Sequence, residues 1–326
     1  MVFPISPTIS QKTISYLSPT KLMSFCKTIL ETLPDTRLLK GDVRTAYRDP
    51  AVTFHDGVFH LFLTLVENEP QEGIFMYLAK TTTRNFRDFS PVRKLTSRDK
   101  RLNYSSPGNV FRFHGKFWIC IQTYCRENGE IFGNDNCRIY TSTSDDLETW
   151  SEPALMHVKG DDLPPEEMGR MIDPFCFFDI QDNSKIWCFF KQNGISRAWT
   201  RDMCHWHYEG HINGGENSCV VNEQGIYYVW SSPANGIALH TGSDLELLKD
   251  TGTLITLGQN HWNWARGRLT AGFVLDLRKN PDIGMALLFY HGTGPEKEPI
   301  VFDNFASIGI AWSRDLETWK YPESTN

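Results

Sequence analysis

The sequence predicts an all-β fold, a five-bladed β-propeller with a short N-terminal helical extension. The first observation behind this prediction is a repeat. A phrase of the form Ser/Thr-x-Asp-Leu-x-x-Trp follows a short apolar run five times, at 83–89, 144–150, 200–206, 242–248 and 313–319. The fourth copy is the weakest, and the spacing between copies is uneven. Uneven copies of one supersecondary unit are typical of propeller blades with variable loops.

The second observation is a strand–turn–strand pattern that also occurs five times. The segments are 49–64, 106–123, 172–190, 215–232 and 269–292. Their second strands are nearly continuous apolar runs, which is typical of strands buried on both faces. Blades that stack around an axis provide such burial. The repeated phrase then marks a turn and an outer strand, where its Trp fills the gap between blades.

The N-terminal region predicts one amphipathic helix. Ser18 is a candidate N-cap, Pro19 takes the first helical position, and the pattern ends at Pro34. Apolar residues recur at helical spacing between them: Leu22, Phe25, Cys26, Ile29, Leu30 and Leu33. We expect residues 1–43 to form an extension and 44–326 the propeller. The helix packs on the propeller or on a second copy, which would make a homo-oligomer.

Composition excludes several classes of protein. The chain has 326 residues and a net charge of −6, without the basic footprint of a nucleic-acid-binding protein. No apolar stretch is long enough to span a bilayer, and the first ten residues lack a secretory signal. The eight cysteines form no CxxC pair and four lie in apolar runs, which predicts buried free thiols. We expect a cytoplasmic or periplasmic protein without a membrane partner.

Acidic residues open three of the five first strands, at Asp49, Asp173 and Glu216. The other two openings hold Gly108-Asn109 and Leu269-Thr270. Innermost strands of a propeller begin near its axis, so these carboxyl groups are expected to meet at one end of the channel. Such crowding raises the pKa of at least one carboxyl group, as general acid catalysis requires.

These motifs resemble those of glycoside hydrolase family 43. Asp49-Pro50 opens the first blade, Ile172-Asp173-Pro174 the third, and Glu216 precedes a Tyr-Tyr strand in the fourth. The resemblance covers about residues 44–320. It implies a five-bladed propeller that cleaves arabinofuranosides, xylosides or related glycosides with inversion. It further implies Asp49 as general base, Asp173 as the residue that orients the acid and raises its pKa, and Glu216 as general acid.

Inversion needs a base and an acid held roughly 6.5–9.5 Å apart, so that a water fits between them. We expect the implied enzyme to act from a chain end. Its expected substrate is an oligosaccharide or a fragment of a polysaccharide. Glu216 has three rivals for the role of acid: Glu166, Glu167 and Glu209.

The chain departs from the family pattern in two blades. Pro107-Gly108-Asn109 stands where the family commonly has Pro-Asp, and 264–270 lacks the Gly-His motif of the fifth blade. In the family the His of that motif lies near a central calcium or water. We therefore expect no required cofactor and no bound metal, with a structural calcium in the central channel as the alternative. His205, His207 and His211 alternate along one strand side and complete no zinc ligand set.

Six residues are candidates for substrate binding. Arg266 and Arg268 suit an acidic sugar or hold a catalytic carboxylate ionised. Trp262 and Trp264 suit stacking on a sugar ring, with blade packing as the equal alternative. His291 ends a Tyr-His strand like one in the family, and Asn109 lies at the opening of the second blade.

Other functions remain open at this point. A related propeller family acts on anhydrogalactose, and its dimers carry an N-terminal helix before the propeller. A carbohydrate-binding or protein-interaction propeller without catalysis is the alternative outside enzymes. A sialidase fits less well, because the repeated phrase is one residue shorter than the sialidase Asp-box and five copies do not match six blades.

Overall fold

The computed structural model describes residues 25–294 and 302–323. The described strands form five antiparallel sheets, which confirms the five-bladed propeller. Strand β1 (Arg37–Leu39) precedes the first blade, which contains β2 (Thr45–His55), β3 (Val58–Glu69), β4 (Gly73–Thr83) and β5 (Arg93–Lys94). The second contains β6 (Tyr104–Ser105), β7 (Val110–Phe113), β8 (Lys116–Thr123), β9 (Ile139–Ser144) and β10 (Ala154–Leu155).

The other three blades have four strands each. The third contains β11 (Ile172–Phe178), β12 (Ile186–Lys191), β13 (Ile195–Thr200) and β14 (Trp206–Ile212). The fourth contains β15 (Glu216–Glu223), β16 (Ile226–Ser232), β17 (Ile237–Gly242) and β18 (Lys249–Ile255). The fifth contains β19 (Arg268–Leu277), β20 (Met285–Thr293) and β21 (Ser307–Ser313), and β1 is its outer strand. Short 3₁₀ turns occur at Leu30–Thr32, Pro165–Glu167 and Gln259–His261.

The ring is closed by strands from both ends of the chain. β1 pairs antiparallel with β21, so an N-terminal strand completes the last blade. This strand lies within the region 1–43 that the sequence assigns to an extension. The boundary at 43/44 stays a prediction, and β1 shows that the propeller uses residues on its N-terminal side.

The N-terminal helix packs on the first blade. Residues 25–28 are helical and lead into the turn Leu30–Thr32, while the predicted start at Ser18 and Pro19 lies outside the described residues. The Phe25 ring lies 6.0 Å from that of Phe59, and Leu30 is fully buried. The described apolar side of the helix is thus covered by the same chain, and the predicted homo-oligomer stays a prediction.

The repeated phrase is a turn after the third strand of each blade. In the second blade, the hydroxyl of Ser144 accepts hydrogen bonds from the N–H groups of Asp146 (3.2 Å) and Leu147 (2.9 Å). Asp146 Oδ1 accepts from Glu148 (2.8 Å) and Thr149 (2.7 Å). Leu147 adopts a φ of 64° and is fully buried. The polar positions of the phrase therefore build the turn, and its Leu anchors it.

In the second blade the Trp of the phrase lies between blades, as predicted. The Trp150 ring packs edge-on against Phe62 of the first blade, with centroids 5.4 Å apart. All eight cysteines are free, and seven of them are buried; Cys204 is exposed, contrary to the prediction of buried thiols. Among the described residues, no helix has the length and hydropathy needed to cross a membrane.

Candidate active site

A cavity of about 380 Å³ at one end of the propeller axis brings together the three predicted acids. Asp49 comes from the first blade, Asp173 from the third and Glu216 from the fourth. Other side chains line the same cavity: Arg48, Gln122, Tyr124, Phe132, Arg170, Lys191, Asn217, Arg268, Thr270, His291 and Phe302. Separate strands thus deliver residues such as Asp49 and His291, which are 242 positions apart, to a single site.

The backbone of each inner strand has the same irregularity where it reaches the axis. One residue in every blade adopts a positive φ of 44–54°, and these are Asp49, Ser106, Asp173, Asn217 and Ala271. The strand register shifts next to this residue in four blades, and in the second it separates β6 from β7. A positive φ in a non-glycine residue costs on the order of 1–3 kcal/mol, so the surrounding blades must hold it in place.

This pattern corrects the expected equivalence of the three acids. Asp49 and Asp173 occupy matching positions, but the match to them in the fourth blade is Asn217. Glu216 lies one residue earlier, and it pairs with Ser232 as Arg48 pairs with Thr64. Matching the acidic residues of the three strand openings did not reveal this offset, because the position is defined by the residue with positive φ and not by the type of side chain.

Polar side chains at the ends of the second strands hold this backbone. In four of the five blades, the N–H of the positive-φ residue donates to a side chain of the preceding blade. The pairs are Asp49 to His291 Nδ1 (3.0 Å), Ser106 to Thr64 Oγ1 (2.7 Å), Asp173 to Gln122 Oε1 (2.5 Å) and Ala271 to Ser232 Oγ (2.8 Å). These bonds satisfy buried donors and join neighbouring blades.

The junction of the third and fourth blades departs from this ring. Lys191 occupies the second-strand position there, and an ammonium group cannot accept a hydrogen bond. It forms an ion pair with one oxygen of Glu216 instead, while Arg268 pairs with the other. Burial raises the pKa of Glu216, but the two cations outweigh this effect and hold that pKa below its ordinary value.

Asp173 has the opposite electrostatic environment. Burial, followed by the charges of Glu216 and Asp49, raises its pKa to about 7, and its Oδ1 accepts a 2.9 Å hydrogen bond from Ser106. The direction agrees with the expected effect of crowding, although burial is the larger cause. The resemblance implied that Asp173 would raise the pKa of the acid Glu216, and that role stays a prediction; the raised pKa of the two belongs to Asp173.

Asp49 is held on three sides. Thr64 Oγ1 donates to its Oδ2 over 2.8 Å, and Arg48 Nε lies 3.5 Å from the same oxygen. His291 accepts from the Asp49 N–H through Nδ1, and burial lowers the pKa of His291 to about 4. The imidazole is therefore neutral near pH 7 and carries its hydrogen on Nε2. That atom is buried without a partner among the described residues, and His291 lines the cavity.

Arg48 also belongs to an ion-pair network with Asp303 and Arg126. Arg126 Nη1 contacts both oxygens of Asp303, at 2.9 and 3.0 Å. Arg48 Nη1 lies 4.0 Å from the same carboxylate. The sequence analysis did not find Arg48, although it directly precedes Asp49. Arg126 and Asp303 lie far from the acids in sequence and gave no signal.

The aromatic candidates pack inside the fifth blade. Trp262 is 5% exposed and stacks on Trp264 with ring centroids 5.5 Å apart. Both also stack on Tyr290. Neither lines the cavity, so the packing alternative is correct. Arg266 is exposed outside the cavity, whereas Arg268 reaches it.

Asn109 also has a structural role instead of a binding role. Its amide donates to Cys176 O (2.6 Å) and accepts from Cys176 N–H (2.9 Å), which joins the second blade to the third. A Cβ on Gly108 would lie 1.5 Å from Pro174 O. The Pro-Gly-Asn departure therefore reflects close contact between two blades.

The rival acids lie away from the cavity. Glu166 and Glu167 are exposed in the turn Pro165–Glu167, and Glu209 is exposed on the outer strand β14.

Among the three clustered histidines, His207 stacks on Trp199 with ring centroids 4.1 Å apart.

The described side chains around the acids do not form a metal site. Within 25–294 and 302–323, no group of three His, Cys, Asp or Glu side chains could hold a metal ion. A second cavity of about 20 Å³ beneath the acids has room for little more than one water. Ca²⁺ takes six to eight oxygen ligands, and this set does not provide them. We therefore derive no step through a metal.

Two of the cavity residues that the sequence analysis did not single out have a recognisable sequence pattern. Gln122 and Lys191 are polar residues that end apolar second strands, in the same position as His291. Tyr124, Phe132 and Arg170 come from loops whose conformation no periodicity encodes.

Comparison with solved structures finds the same fold in glycosidases. An exo-1,5-α-L-arabinanase from a bovine ruminal metagenomic library matches with a TM-score of 0.59 at 14% identity, over 86% of this chain and 99% of that one. An α-L-arabinofuranosidase from Podospora anserina, in complex with cellotriose, matches with a TM-score of 0.61 at 14% identity, over 90% and 95%. A family-43 enzyme from Xanthomonas citri, complexed with xylotriose, matches with a TM-score of 0.54 at 13% identity, over 94% and 96%.

At these identities the likeness establishes the fold, which is shared with glycoside hydrolases of families 43 and 62. The sequence matches no family model and no curated protein.

Proposed function

We propose that the protein is a glycoside hydrolase that inverts configuration and acts from a chain end on arabinofuranosides, xylosides or related sugars. The observation that carries the proposal is the convergence of Asp49, Asp173 and Glu216 on one cavity, with one carboxyl pKa raised to about 7. A pair of carboxyl groups of which one is protonated and one is ionised is what glycoside hydrolysis requires.

Asp49 is the proposed general base. Its Oδ2 is occupied by Thr64 and lies 3.5 Å from Arg48 Nε, which leaves Oδ1 to take a proton from the attacking water. The neutral His291 holds the Asp49 backbone by accepting its N–H at Nδ1.

The proposed proton donor is the carboxyl pair of Asp173 and Glu216. Of the two groups, Asp173 holds a proton more readily, because burial raises its pKa while Lys191 and Arg268 hold the pKa of Glu216 below its ordinary value. Interacting acids share their protons, so the proposed step passes the proton from Asp173 to Glu216 and from Glu216 to the leaving oxygen, and both carboxyl groups are then ionised until the proton that the attacking water gives up is returned to Asp173. Glu216 remains the residue proposed to face that oxygen, and the reaction needs no cofactor beyond these side chains and water.

The experiment is a screen of aryl glycosides, including arabinofuranoside, xyloside, galactofuranoside and galactoside, with the Asp49→Asn protein as blank. We expect the wild-type protein to release the aryl group from one of them and the variant to lose at least about a hundredfold in rate. Proton NMR of the first product should show the inverted anomer.

Three results would contradict parts of this proposal. Full activity of Asp49→Asn would exclude it as the base, and retained configuration would indicate a covalent intermediate. Saccharide binding without hydrolysis of any substrate, anhydrogalactose-containing oligosaccharides included, would make the protein a carbohydrate-binding propeller.

A further inference from the structure

The charge of the cavity is opposite to that of the protein. The chain carries a net charge of −6. Four cationic side chains, from Arg48, Arg170, Lys191 and Arg268, line the cavity beside the three carboxyl groups. One of these carboxyl groups has a pKa of about 7 and is thus partly protonated near neutral pH. Within the described residues, the walls of the cavity are therefore positively charged.

Most of these cations have carboxylate partners in the protein. Lys191 and Arg268 share Glu216. Arg48 lies near both Asp49 and Asp303, and Arg126 provides a further positive charge on Asp303. These contacts account for the positions of three of the four cations at the cavity wall.

Arg170 is the exception. Its Nε donates to Gly133 O over 2.9 Å, which fixes the plane of the guanidinium beside the Tyr124 ring, 5.8 Å from its centroid. Among residues 25–294 and 302–323, no carboxylate lies within 4.0 Å of Arg170, and its two Nη atoms donate to no protein acceptor. A guanidinium held through Nε presents both Nη atoms as a fork that matches a carboxylate or a sulfate.

The surroundings of Arg170 suit a sugar. Phe132 precedes Gly133, lines the same cavity and is 57% exposed. An exposed aromatic ring at a cavity mouth provides an apolar face for sugar C–H groups. The positive cavity walls also attract an anionic ligand from solution, since a concave charged site focuses the field.

We propose that the cavity binds an anionic saccharide, one that bears a carboxylate or a sulfate group, and that Arg170 binds this group through its two Nη atoms. This inference rests on the proposed function, because it names the substrate class of the same site. The negative group lies at the rim formed by Phe132 and Gly133, next to the sugar that the acids act on.

The test measures binding without turnover, by calorimetry on the full-length Asp49→Asn protein. The probes are a glucuronate-branched xylotriose with its carboxyl-reduced counterpart, and a sulfated galactose tetrasaccharide with its desulfated counterpart. The members of each pair differ only at the anionic group, which is a carboxylate replaced by a hydroxymethyl group or a sulfate replaced by a hydroxyl group. We expect at least tenfold tighter binding of a charged member, equivalent to about 1.4 kcal/mol. The preference should weaken between 25 and 200 mM NaCl.

Two variants assign the preference to a residue. Arg170→Gln should abolish it and leave binding of the neutral counterpart within about twofold. Arg266→Gln removes an exposed arginine outside the cavity and should retain the full preference. The pair of probes that shows the preference distinguishes a carboxylate from a sulfate.

Absence of a charge preference in both pairs, whether both members bind or neither does, would overturn the inference. A preference that survives in Arg170→Gln would overturn the role of that residue. Charge-selective binding by a wild-type protein that hydrolyses no glycoside would refute the proposed function alone. Hydrolysis of neutral glycosides without charge selectivity would refute this inference alone.

Discussion

At the residue scale, one position decides how the three acids differ. Lys191 replaces the hydrogen-bond acceptor found at this position in the other four blades, and it draws Glu216 into an ion pair. Within the part of the chain that the structure describes, Asp173 has no such cationic partner, so burial and the repulsion from Glu216 and Asp49 raise its pKa. Similar carboxyl groups thus acquire different protonation states from their neighbours.

Glu216→Gln tests the role of that carboxyl group. A general acid matters most for a poor leaving group, so we expect a loss of about 10²–10⁴-fold on an alkyl glycoside and a much smaller loss on an activated aryl glycoside. Steady-state kcat/KM on both substrates is the measurement. Glu209→Gln, on the exposed outer strand β14, is the matched control and should lose nothing. Equal losses on both substrates would indicate that Glu216 is only structural.

Asp173→Asn tests the raised pKa through stability. Between about pH 4 and pH 7 the folded protein holds a proton that the unfolded chain releases, so the free energy of unfolding of the wild type falls as pH rises through this window. The amide does not titrate and escapes this loss. We expect its stability relative to wild type to increase from pH 4 to pH 8, by at most about 4 kcal/mol.

Urea unfolding at the two pH values measures this difference. Asp145→Asn, whose side chain is 79% exposed, is the control and should show no comparable change. A constant difference between the Asp173 variant and wild type at both pH values would contradict the raised pKa.

At the element scale, the repeated phrase is a turn that the sequence encodes locally. The hydroxyl caps two N–H groups, the Asp caps two more, and a buried Leu follows at positive φ. All of these interactions lie within the six residues 144–149, which is why the pattern is visible in the sequence. The fourth copy begins with Gly242 and lacks the hydroxyl, which explains its weak match.

Ser144→Ala should remove the hydroxyl that caps this turn. Two N–H groups lose their acceptor, so we expect the free energy of unfolding to fall by about 1–2 kcal/mol. Urea unfolding at pH 7 measures the change. Ser243→Ala, in the fourth copy, removes an exposed hydroxyl and should have little effect. Equal unfolding midpoints for the two variants would contradict the capping role.

At the scale of the whole molecule, the ring is closed by β1 and covered by the N-terminal helix. Leu30 and Leu33 are buried at 0% and 6% exposure, and β1 completes the fifth blade. A chain that begins at residue 44 loses both contributions. We expect it to be destabilised by more than about 4 kcal/mol, since each buried Leu alone contributes about 2–5 kcal/mol.

Thermal unfolding of the 44–326 chain beside the full chain measures this effect. Leu30→Ala should give part of the loss, and Val43→Ala, at a position that is 60% exposed, should give almost none. A truncated chain with an unchanged Tm would show that the propeller begins where the sequence analysis placed it.

The sequence by itself determined the number of blades, the turns after the third strands and the matching positions of Asp49 and Asp173 in two blades. These features depend on local hydrogen bonds and on strand burial, both of which leave a periodic trace. Only the tertiary structure decided that Glu216 is offset by one residue, that Lys191 and Arg268 hold it ionised, and that Trp262, Trp264 and Asn109 serve packing. Those properties arise where side chains from different blades meet near the axis, and the order of residues along one strand does not record which residues of another strand they face.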